Sequence, residues 1–196
     1  MKKPAITKYD IHPVLKERWS PRIFDSKPVE EEKLKRIFEA ARWAPSAFNE
    51  QPWRFIIGKK GSKSWDDIYE TLIGFNQAWT KTADVLALVV GKTHSSNNGK
   101  PNATFEYDTG QSVAHLTFQT TSEGLFIHQM SGFSKEKAKE IFEIPDGFEP
   151  LTAFAIGYMG NVEDLNEDFQ KMEKSTRERK QFDEFVFRSV RGQCIV

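Results

Sequence analysis

The longest apolar run in the chain, Val85 to Val90, is only six residues long. A helix that crosses a membrane needs about 20 such residues, so the run reads as a strand of a soluble core. Arg54 to Ile57, Phe126 to Gln129 and Thr152 to Tyr158 are further short runs of this kind, and Asp84 opens the one at 85. Helical spacing is clearest from Val29 to Arg42, where Leu34, Ile37, Phe38 and Ala41 fall at i, i+3, i+4 and i+7. Glu30, Glu31 and Glu32 sit where a helix N-terminus favours negative charge, and Ala44-Pro45 should end the helix. Thr104 to Gly124 is predicted as a second, long helix, and Ser134 to Phe142 as a shorter one capped by Ser134. Strands therefore alternate with helices, which defines an α/β or α+β chain. Periodicity by itself favours a parallel sheet.

A length of 196 residues with 38% hydrophobic and 13% aromatic residues suits one domain over 1–196 with a core of its own. Lys+Arg and Asp+Glu number 28 each, for a formal net charge of +0, without the basic excess of a nucleic-acid binder. The single cysteine, Cys194, excludes a disulfide framework and a multi-cysteine metal site. Histidines 12, 94, 115 and 128 have no metal-ligand spacing. Met1-Lys2-Lys3-Pro4 leads into no apolar stretch, so a soluble cytoplasmic protein with no membrane partner is expected. Lys92 to Asn102 reads as a long exposed loop. Dinucleotide-fold, phosphate-loop and nucleophile-elbow motifs are all missing.

Three segments have the residue types of a binding site. In Arg18-Trp19-Ser20-Pro21-Arg22, Pro21 keeps Ser20 extended, so Arg18, Ser20 and Arg22 point to one side. Two guanidinium forks and a hydroxyl are a donor set for phosphate, although two unrelated surface arginines would look the same. In Ala44 to Trp53, two prolines bracket a loop whose Ser46, Ala47 and Phe48 N–H groups have no evident partner. Asn49 and Gln51 there can donate and accept at once, as an ordinary turn could also use them. In Gln129 to Ser134, Gly132 would let backbone approach a ligand at a strand-to-helix turn.

In this order, the segments resemble the FMN-dependent nitroreductase family of NAD(P)H-dependent flavin oxidoreductases. The resemblance runs through R-x-S-x-R (Arg18, Ser20, Arg22) and A-P-S-x-x-N-x-Q-P-W, matched from Ala44 to Trp53. It continues through Gly124-Leu125, Gly132-Phe133 and Ile156-Gly157-Tyr158 to Arg177–Lys180 and Glu184–Val186. It implies an α+β fold with a mainly antiparallel sheet flanked by helices, and a homodimer that exchanges segments; that sheet is adopted over the parallel one. It also implies FMN at the dimer interface. Arg18, Trp19, Ser20 and Arg22, with Arg177 and Arg179, would hold its phosphate and ribityl chain. Pro45, Ser46, Ala47, Phe48 and Asn49 would reach the flavin of the other subunit, and Gln51 that of its own. Gln129, Met130, Ser131 and Gly132 would lie near flavin N5, with Asn76 a further contact.

The reaction so implied is a ping-pong hydride transfer from NADH or NADPH, through flavin N5, to a nitroaromatic, quinone or related small acceptor. No side chain is needed as acid, base or nucleophile. Phe48, Phe75, Trp79 and Phe105 are the aromatics available to stack on the acceptor, and each is equally a core or interface residue. Two rival readings stay open: a superfamily member acting on oxygen or halogenated substrates, and a non-catalytic flavin-binding or redox-sensing protein.

Overall fold

In a computed structural model that describes residues 2–188, the apolar run becomes β2 (Val85–Lys92), the best-buried strand of the sheet. Val85 to Val89 are 0% exposed and Val90 is 3%. Both edges of β2 are hydrogen-bonded, to β1 (Trp53–Lys59) and to β4 (Phe148–Gly157), and β3 (Phe126–Met130) completes the order β1-β2-β4-β3. Every pairing is antiparallel. The parallel sheet favoured by periodicity is thus wrong, and the antiparallel one adopted in its place is present. A run apolar on both faces reports that both faces are covered; the connections, which periodicity does not register, set direction. Pro150, which has no N–H to give, falls at the register shift where β4 passes Val89 and Val90.

The two-residue period of β2 splits the core in two. Val85, Ala87 and Val89 pack with Leu34, Ile37 and Ala41 of α2 (Glu31–Arg42) and with Val113 and Leu116 of α5 (Phe105–Ser122). Leu86 and Leu88 face the other way, onto Trp65 and Ile68 of α3 (Lys63–Thr71) and Trp79 of α4 (Gly74–Thr80). Ala138 of α6 (Lys135–Ile141) and Phe169 of α7 (Glu167–Lys174) close that side, and a short α1 (Pro13–Glu17) precedes them all. The three helices expected from the sequence are present. Ser134 caps α6 as expected, accepting from Lys137 N–H at 3.1 Å. The helices α1, α3, α4 and α7 were not foreseen. Of the expected loop from Lys92 to Asn102, Lys92 ends β2 and residues 93–102 form turns and an isolated bridge, mostly exposed. None of the described helices is long and apolar enough to cross a membrane. Cys194 lies outside the described residues.

Candidate functional site

Trp19 and Pro21 anchor the extended segment between α1 and α2, and Arg18, Ser20 and Arg22 alternate with them. Trp19 is buried edge-on to Phe126, with ring centroids 6.1 Å apart. The Pro21 carbonyl lies 2.9 Å from His128 Nδ1. Arg18 Nη1 donates to Ser20 Oγ at 3.2 Å, so these two meet as the extended spacing predicts. Arg22 turns instead to a carboxylate: its Nη1 is 3.2 Å from Glu173 Oε1 on α7. Beyond α7 the chain returns to this segment, where Arg177 donates to the carbonyls of Arg18 and, at 3.2 Å, of Lys16. Lys3 donates to the Glu173 carbonyl.

The result is a cluster of like charges. Burial, then the charges of Arg177 and Arg179, holds Arg18 below the ordinary guanidinium range. Arg177 is lowered by burial and by Arg179. Lys3 is lowered by burial, and by Arg177 and Arg22, against the pull of Glu173. Burial pushes the Glu173 carboxyl up, against its bonds to Arg22. Arg22 Nε and Arg177 Nε are buried without a partner among the described residues. A groove of about 850 Å³ opens beside Arg18, Arg177 and Arg179, with Tyr9, Phe182 and Phe185 on its walls.

The second segment follows β3. Met130 is a core residue whose carbonyl accepts from Thr152 Oγ1 at 2.9 Å, and the Gln129 amide donates to Thr117 Oγ1 at 3.0 Å. Ser131 is exposed. The Gly132 carbonyl accepts from Ile73 N–H at 3.1 Å and from the buried Asn76 Nδ2 at 2.9 Å. A Cβ on Gly132 would stand 2.7 Å from Asn76 Nδ2 and from Ile73 Cδ1. The glycine is required here by the chain's own packing.

The proline-bracketed loop lies against α5. Ala47 N–H, expected to be free, donates to the buried Asp108 Oδ2 at 3.1 Å. Ser46 Oγ accepts from Gln51 N–H at 3.0 Å, and Gln51 Nε2 donates to the Asn49 carbonyl at 3.1 Å. Phe48, Asn49 and Gln51 have φ of 52°, 55° and 47°, left-handed values that residues with a Cβ seldom adopt. Phe48 is 92% exposed and Pro45 is exposed beside it. Among the described residues, no hydrogen bond joins this loop to 18–22 or to 129–132. Of the aromatics considered for stacking, Trp79 is excluded: it is 1% exposed, with its ring centroid 4.4 Å from that of His128.

Sequence reasoning missed His128 and Glu173. His128 falls in step with Phe126 and Met130 on a core-facing side of β3, and Glu173 follows Phe169 by four residues on α7. A titratable residue on an apolar face was the legible signal in both. Burial, with the charges of Arg22 and Arg18, brings the His128 pKa down to about 4 against its bond to Pro21, so the ring is neutral at pH 7. Among the described residues no group of His, Cys, Asp and Glu could hold a metal ion.

The chain belongs to the nitroreductase family, whose model matches residues 15–74. A solved oxidoreductase described as containing FMN is 36% identical, with a TM-score of 0.88 over 93% of both chains. A nitroreductase family protein from Clostridium difficile 630 is 26% identical, with a TM-score of 0.70 over 90% of this chain and 96% of its own. A protein of Archaeoglobus fulgidus, provisionally named NADH dehydrogenase/NAD(P)H nitroreductase, is 45% identical over 40 residues, 20% of this chain and 23% of its own.

Proposed function

We propose that the chain binds FMN and uses it to pass electrons from NADH or NADPH to a small acceptor such as a nitroaromatic or a quinone. The observation that carries this reading is the cluster of Lys3, Arg18, Arg22, Arg177 and Arg179, in which one buried carboxylate, Glu173, faces Lys3 and Arg22. It has a surplus of positive charge and two buried guanidinium N–H groups in search of an acceptor. A phosphate dianion answers both needs, since guanidinium forks match its oxygens in pairs. The solved relative described as containing FMN supports the choice of phosphate ester.

FMN, when bound, supplies the redox chemistry, with N5 as the atom that exchanges hydride. Arg18, Ser20, Arg22, Arg177 and Arg179 would bind the phosphate, and the backbone at Ser131 and Gly132 would present donors to the ring. No side chain is required as nucleophile. One pocket would receive donor and acceptor in turn. The expected result is that flavin-loaded protein oxidises NADH or NADPH with a nitroaromatic or quinone far faster than the same concentration of free FMN. Parallel lines in double-reciprocal plots would mark the ping-pong order. No turnover above free FMN with any acceptor would overturn the assignment as an enzyme.

We also propose a homodimer in which Pro45, Ser46 and Asn49 reach the flavin of the other copy. The support is local: a left-handed loop that holds Phe48 out to solvent is shaped for a surface outside its own chain. Sedimentation should find dimers at micromolar concentration. A monomer that retains one FMN per chain on dilution would refute this arrangement.

A further inference from the structure

We infer that His128 is a positioning residue for the phosphate end of the site, acting through its hydrogen bond to the Pro21 carbonyl. This rests on the FMN reading and extends it to a side chain that touches neither phosphate nor ring. Pro21 stands between Ser20 and Arg22, two of the proposed phosphate donors. Its carbonyl can only accept, so Nδ1, 2.9 Å away, carries a hydrogen. Burial keeps the ring neutral, against the pull of this bond, and so leaves that hydrogen on Nδ1 alone. Contact with the tilted Trp79 ring, 33° from parallel, holds the imidazole in place, and strand pairing opposite Ala155 fixes its backbone.

His128 stands three residues before Ser131 on one continuous stretch of chain. β3 therefore carries, through its histidine, the segment proposed for the phosphate and, at its end, the turn proposed for the flavin ring. One hydrogen bond sets the first against the second. A ligand that spans both should feel its loss, whereas a ligand that uses only the ring end should not.

The test compares FMN with riboflavin, which lacks the phosphate, by fluorescence titration of full-length apoprotein. His128→Phe keeps a ring over Trp79 and deletes the donor. His128→Asn deletes the ring but places an amide N–H where Nδ1 was. The expected result is roughly a fivefold loss of FMN affinity in the Phe variant, riboflavin affinity unchanged, and recovery of FMN binding in the Asn variant. Should His128→Phe fail to fold, His128→Gln, whose N–H lies one bond further out, takes its place and should bind FMN more weakly than Asn. Unchanged FMN affinity in the variants that lose the donor would overturn the inference. So would equal losses for both flavins, or an Asn variant no better than the others. A wild-type chain that binds riboflavin as tightly as FMN would instead remove the phosphate assignment, and the role of His128 with it.

Discussion

Arg22→Ala is expected to destabilise the flavin-free protein by about 3 kcal/mol and to weaken FMN roughly 10- to 150-fold. The two losses have separate causes. Removing a charge-assisted bond to phosphate accounts for the second. The first arises because Glu173, only 1% exposed, loses the guanidinium that faces it, itself 26% exposed. Breaking a buried pair from one side costs about 3–5 kcal/mol, and the partial exposure of Arg22 places this case at the lower end. Arg18→Ala, which strands no carboxylate, should show only the loss of affinity. The pH dependence separates the causes further. Burial already raises the Glu173 carboxyl in the folded chain, and loss of Arg22 raises it further, so its ionised form is what costs stability. The deficit should therefore be largest at neutral pH and fade as pH falls toward about 4.3, the ordinary glutamate value. Urea unfolding of both variants at pH 7 and pH 5 measures it. A deficit in Arg22→Ala that does not change with pH would sink the account.

Gly58→Ala adds one methyl group and should cost about 3 kcal/mol or more, lowering the melting temperature by roughly 6–12 °C. A Cβ at this position on β1 would lie 2.2 Å from Trp65 N and 2.5 Å from Trp65 Cα. Both are backbone atoms, so no change of rotamer relieves the overlap. The helix α3 must lift off the strand, and Trp65 and Ile68 leave the core with it. Gly74→Ala is the control, since nothing lies within 4 Å of the added carbon and the site is helical. A thermal melt of Gly58→Ala within about 2 °C of the parent would show that the strand–helix contact is looser than described.

What the sequence made legible was local. The i, i+3, i+4 spacing of Leu34, Ile37 and Phe38, and the cap at Ser134, act within a few residues and were read correctly. The meeting of Arg18 with Ser20 follows from an extended backbone alone. Strand direction was not legible in the apolar runs, because Val85 to Val90 would look the same beside parallel neighbours. Arg22 finds its carboxylate 151 residues away, and no spacing rule reaches that far. Ala47 seemed free only because Asp108, its acceptor, sits on a helix read for its apolar stripe. The helix α3 was missed although Trp65, Ile68 and Leu72 keep helical spacing behind the Ser62 cap, and α4, seven residues long, is too short for a period to register.

Phe48, Asn49 and Gln51 hold left-handed backbone without the freedom that glycine would bring to the same turn. Such a loop has few other shapes available, and its hydrogen bonds, given by Ala47 N–H to Asp108 and accepted by the Glu50 carboxylate from Ser96 N–H and Asn97 Nδ2, remove more of them. The conformational entropy of ordering it is therefore lost when the chain folds, before any encounter. A second surface that docks on Phe48 meets a preorganised shape and gives up little affinity to immobilise it.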